Sequence, residues 1–151
     1  MNNREQWLIT TADILASTIL LPAINELGEQ VEPLNYQVSI GHTMSKKSIG
    51  ECWVKQQSSD GLTSNIFIAP HCNESIRILD ILLHEMIHAA DDCASGHKNF
   101  FARTARKVGL AGKFTATYAG DALKEKLLDI VDAVGDIPHR VYLTSYTKIH
   151  V

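Results

Sequence analysis

The stretch Ile81-Leu-Leu-His84-Glu85-Met-Ile-His88-Ala-Ala-Asp-Asp-Cys-Ala-Ser-Gly96-His97 decides the fold. On a helix, His84 and His88 stand one turn apart on the same face, so two imidazoles can share one metal ion. Glu85 leaves the same turn beside them, too far round to ligate easily but placed to hold a water at the metal. Two His ligands, a carboxylate base and a third ligand from elsewhere make up a zinc-hydrolase arrangement.

The surrounding residues sharpen this. Ile78, Leu79, Ile81, Leu82, Leu83, Met86, Ile87, Ala89 and Ala90 make the helix apolar around most of its circumference. The polar residues Arg77, Asp80, His84, His88 and Asp91 fall at i, i+3, i+7, i+11 and i+14, a single stripe. Histidines on a stripe of an otherwise buried helix need partners, because unpaired polar groups there are costly. The bland alternative is two core histidines capped by carbonyls, with Glu85 in solvent.

Beyond His88, Ser95-Gly96 reverses the chain and can bring His97 back to the first two histidines. His97 is the expected third ligand. Asp91, Asp92, Asp121 and Glu125 are the alternatives, because carboxylates also complete zinc sites. Asp80 or Asp91 could orient a ligand imidazole, although Asp80 pairs more naturally with Arg77. Cys93 lies near the site in sequence but is a weak ligand candidate. A hydroxyl such as that of Tyr118 could stabilise an oxyanion, or the ring could simply pack.

Moving upstream, residues 4–27 read as one amphipathic helix, with Pro22 expected to kink or split it and Gly28 to stop it. Three strands are expected at residues 36–40, 51–55 and 65–69, forming a small antiparallel meander with a turn at Asp60-Gly61. Pro70 ends the last strand, and Asn73 or Ser75 is expected to cap the metal helix. Downstream, residues 98–108 form a short helix that would hold His97 at its start. Residues 109–120 read as a turn-rich connector, 121–134 as a last amphipathic helix, and 141–151 as an extended polar tail. An edge strand beside the metal helix would offer free backbone groups to an extended peptide.

Composition sets the bounds. The 151 residues imply one domain, 1–151, with 45% hydrophobic and 21% charged residues as in globular chains. A net charge of −3 supplies no global basic field for nucleic acid. Three cysteines with no C-x-x-C pair suggest a reducing compartment, hence a cytoplasmic protein. The apolar run at residues 14–21 lacks a basic lead and a cleavage site, and is too short to span a membrane.

The passages Gly50-Glu-Cys-Trp53, Asn65-Ile-Phe-Ile-Ala-Pro70, Leu82-Leu-His84-Glu-Met-Ile-His88-Ala and Gly96-His97-Lys-Asn-Phe100-Phe together resemble the SprT-like zinc metallopeptidase family. That family includes the Spartan proteases of DNA–protein crosslink repair and many bacterial and phage members. The segment 109–120 and Pro138-His139 resemble the phage and prophage branch in particular. The resemblance implies an α+β, zincin-like domain with a small antiparallel sheet packed on an N-terminal helix and the His-Glu-x-x-His helix. It also implies Zn2+ bound by His84, His88 and His97, Glu85 as the catalytic acid–base, a protein substrate, and an association with DNA.

Two departures are visible. Many relatives continue into a cysteine-rich zinc ribbon, whereas no cysteine follows Cys93. Residues 146–151 resemble the lead-in to such a ribbon, so a truncated or ribbon-less member is expected. Spartan's separate DNA- and partner-binding segments have no counterpart, which weighs against DNA targeting. The rival expectation is a non-catalytic, metal-stabilised adaptor that binds DNA or protein through its sheet. Glu85 argues against it, since a purely structural site has no use for that carboxylate.

Overall fold

Helix α3 (Ser75–Ala90) is the axis on which the other elements are laid, and all but three of its sixteen residues are buried. Leu82, Leu83, Met86 and Ile87 have no exposed surface, and each stabilises the fold by about 1.5–3 kcal/mol on burial. The computed structural model describes residues 3–45 and 47–138. The tail expected at residues 141–151, the ribbon-like residues 146–151 and His139 lie outside the described residues.

The order of elements is α1 (Arg4–Leu15), a π-helical turn (Ala16–Leu20), α2 (Leu21–Glu26), β1 (Tyr36–Ile40), β2 (Gly50–Trp53), β3 (Ser64–Ile68) and α3. Then follow α4 (Phe100–Val108), β4 (Leu110–Lys113), β5 (Ala116–Ala119) and α5 (Asp121–Val134). This is an α+β chain. The N-terminal helix is interrupted as Pro22 requires: the ladder widens to π geometry over Ala16–Leu20, and Pro22 opens α2. The whole run Arg4–Glu26 is longer than its apolar centre suggests. By length and composition it could cross a membrane, but 56% of that window is buried in the fold. Trp7, Leu8, Leu15 and Leu20 are fully enclosed, as in a core helix. Trp7 Nε1 donates to the Gly135 carbonyl at 2.9 Å, tying α1 to the end of α5.

The sheet corrects the expected antiparallel meander. Its order is β1-β3-β2, with β1 parallel to β3 and only β2 antiparallel to it. Alternation of apolar residues marks a strand but carries no pairing order, and the connection at residues 41–49 is long enough to take β2 to the far side of β3. A second correction concerns residues 109–120, which form the β4–β5 hairpin rather than a connector. Gly109 makes this possible by ending α4 in left-handed geometry (φ 101°), where a Cβ would lie 2.9 Å from that of Leu123. Arg106 then holds the hairpin through the Leu110 and Gly112 carbonyls. Caps also differ from expectation: Glu74, not Asn73 or Ser75, accepts the first free amides of α3, at Ile76 and Arg77. Ser75 instead donates to Asp136 and accepts from the Ile137 amide, anchoring the end of α5.

Candidate metal centre

The stripe on α3 faces β5 on one side and the turn at residues 91–99 on the other. That turn is tightly specified. The Cys93 amide donates to the His88 carbonyl at 2.7 Å, and Asp92 and Cys93 take left-handed backbone (φ 53° and 61°). The Ser95 amide donates to Asp91 Oδ2, and Ser95 Oγ accepts the Phe101 amide, capping α4 from outside the helix. Helix α4 begins at Phe100, two residues later than the expected start at residue 98, and His97 sits in the turn before it.

The result is convergence. His84, His88 and His97 each offer a ring nitrogen, and these atoms lie within 4.8 Å of one another, close enough to hold a metal ion. His88 Nε2 and His97 Nε2 are 3.3 Å apart. Two nitrogens each about 2.0–2.1 Å from a tetrahedral zinc stand about 3.3–3.4 Å from each other, so this pair has ligand spacing. The carboxylate alternatives are otherwise placed. Asp91 and Asp92 accept backbone amides, from Ser95 and Lys55, while Asp121 and Glu125 are exposed on α5. The Cys93 thiol turns to the Cys52 carbonyl at 3.7 Å.

Phe101 is the floor of the cluster. It is fully buried, stacks on His88 and meets His84 and His97 edge-on at centroid distances of 4.8 and 5.1 Å. Nothing in the sequence marks Phe101 for this task. Thr117 was missed altogether: its Oγ1 lies 2.7 Å from His84 Nδ1. Strand alternation explains both Thr117 and its neighbour. In β5, Thr117 points in, and Tyr118 points out, 54% exposed and lying across Gly112. Asp80 pairs with Arg77 and accepts the Ala119 amide, so it fastens β5 and does not touch an imidazole.

Burial keeps the three imidazoles neutral. Burial, with the neighbouring His88 and His97, lowers His84 to about 3, and burial together with His97 lowers His88 to about 4. Burial also lowers His97. The three rings are therefore neutral donors above mildly acidic pH, the form that binds metal. Glu85 is 7% exposed, which removes the alternative of a carboxylate in solvent. Burial, then Cys93 and Glu51, raises it to about 8.

A cleft of about 650 Å³ joins these groups, lined among others by His84, Glu85, His88, His97, Trp53 and Arg77. Its other wall is β2. Gly50 brings that wall in: a Cβ there would lie 2.6 Å from Ile81 Cγ2 and 3.2 Å from Glu85 Oε1. The Ala69 amide donates to the Ile49 carbonyl, so the alternating antiparallel ladder turns the backbone groups of Gly50 and Cys52 away from β3. Among the described residues no strand pairs with that edge. No protein-family model, curated protein or solved structure matches the chain.

Proposed function

We propose that this chain is a zinc-dependent endopeptidase of SprT-like, zincin type. The observation that carries the reading is the 3.3 Å spacing of the His88 and His97 nitrogens within a three-imidazole cluster that shares its cleft with a buried glutamate. His84, His88 and His97 would hold the ion. Zinc bound there supplies Lewis acidity and brings the pKa of water down to about 7. Glu85 takes the proton of the attacking water and passes it to the leaving amine, one carboxylate serving as base and then acid. Burial raises Glu85 to about 8 in the metal-free site, and a cation bound beside it would favour the carboxylate, the form a base needs.

The outer edge of β2 would receive an extended polypeptide by strand addition, with side chains alternating into the cleft and away from it. A protein substrate in extended form fits this edge better than a folded one. Association with DNA belongs to the family likeness and draws no support from a net charge of −3.

The test is zinc content measured alongside hydrolysis of a denatured protein, with and without chelator and single-stranded DNA. Glu85→Gln should retain zinc and the melting temperature and lose at least about 10²-fold in kcat. Cleavage by Glu85→Gln at the wild-type rate would rule the mechanism out.

A further inference from the structure

We propose that Thr117 is a positioning residue for the metal centre: its hydroxyl accepts the Nδ1 proton of His84, which leaves Nε2 as the ligating atom. This rests on the metal-centre reading above and extends it to a residue outside the His-Glu-x-x-His helix.

The chemistry starts from the imidazole. A neutral ring carries one N–H, and whichever nitrogen holds it cannot ligate. His84 shares its cluster with His88 and His97, at ring-centroid distances of 5.0 and 5.5 Å. The nitrogen facing that cluster must be the one without a proton. Thr117 Oγ1, 2.7 Å from Nδ1, gives the proton a place on the other side of the ring. Thr117 is 5% exposed, so water competes poorly for the bond. Its Cβ branch restricts χ1, so the hydroxyl does not wander.

The position of Thr117 is itself fixed from α3. Arg77 Nη1 donates to the Thr117 carbonyl at 3.0 Å, and Asp80 Oδ2 accepts the Ala119 amide at 3.0 Å. Arg77 and Asp80 stand about two turns and one turn before His84 on the same stripe. The helix that carries the ligand thus holds the strand that orients the ligand. The polar stripe in the sequence serves both purposes: its C-terminal part binds, and its N-terminal part clamps the β4–β5 hairpin.

Two variants and two readouts test this. Zinc affinity is measured by competition with a chromophoric chelator, and the His84 tautomer by nitrogen-15 shifts in the zinc-free protein. Wild type should show the Nδ1–H tautomer at His84. Thr117→Val, which keeps the shape and loses the hydroxyl, should populate both tautomers and bind zinc about 10–100-fold more weakly. Thr117→Ser should recover most of that affinity. An Nε2–H tautomer in wild type overturns the proposal, as does a folded Thr117→Val with wild-type affinity. If Thr117→Val fails to fold, the wild-type tautomer and Thr117→Ser still decide. A wild-type protein with the Nδ1–H tautomer and tight zinc but no proteolysis removes the peptidase reading and leaves Thr117 in its role. A wild-type protein that binds no zinc removes both.

Discussion

Phe101 lies flat against His88, with ring centroids 4.3 Å apart and planes 17° from parallel. The first residues of α4 therefore set the orientation of an imidazole on α3, across the turn that carries His97. One aromatic ring serves all three imidazoles, and its removal should disturb them together.

Phe101→Leu keeps most of the buried volume and loses the flat surface. Zinc affinity should fall about tenfold, as for other supports of a ligand ring, with the fold retained. Phe101→Ala should cost about 3–5 kcal/mol of stability as well, because the enclosed site leaves a cavity. Chelator competition and thermal melts separate the two effects. Unchanged zinc affinity in Phe101→Leu would show that the ring only fills space.

Gly50→Ala probes the opposite wall. The added Cβ would meet Ile81 Cγ2 at 2.6 Å and Glu85 Oε1 at 3.2 Å, so β2 must withdraw or both side chains must shift. Overpacking of this kind costs about 1–3 kcal/mol. Hydrolysis should fall further than zinc affinity, since the displaced groups are the carboxylate and the free strand edge and not the imidazoles. Equal losses in both would place the strain at the ligands instead.

Much of this site could be read from the sequence because its signal is local. One helical turn joins His84 to His88, a full stripe of polar residues marks the face they share, and Ser95-Gly96 announces the reversal that returns His97. The strand at 36–40 and the helix at 121–134 also stand where periodicity puts them. The rest depends on pairing between distant segments. Nothing in the alternation of 65–69 says that β1 lies parallel on one side and β2 antiparallel on the other. The hairpin at 110–119 is hidden because Gly112 and its alanines carry no apolar alternation. Thr117 is unreadable for the same reason: a lone threonine comes within hydrogen-bond reach of His84 only when β5 is laid on α3. Tyr118, the more conspicuous residue, is turned outward by the same strand geometry.

The titrating groups of the site make a pH prediction for the zinc-free protein. In the unfolded chain the histidines titrate near 6.5, while in the fold His84 and His88 stay neutral down to about 3 and 4. Below pH 6.5 the unfolded state therefore binds two more protons at these positions, which destabilises the fold as pH falls; the lowered His97 acts in the same direction. Glu85 works the other way. It ionises near 4.5 when unfolded and near 8 when folded, so between those values the native state holds an extra proton and loses stability as pH rises. Each proton is worth about 1.4 kcal/mol per pH unit. Between pH 4.5 and 6.5, the two His protons less the one on Glu85 leave stability rising by about 1.4 kcal/mol per unit; from 6.5 to 8 it falls at about that slope. The melting temperature in chelator should therefore peak near pH 6.5. Zinc should abolish the alkaline decline, because a cation in the cluster favours the Glu85 carboxylate and binds neutral imidazoles. A chelated sample whose stability stays level from pH 6.5 to 8 would mean that Glu85 is already ionised in the empty site, and that burial does not hold its proton there.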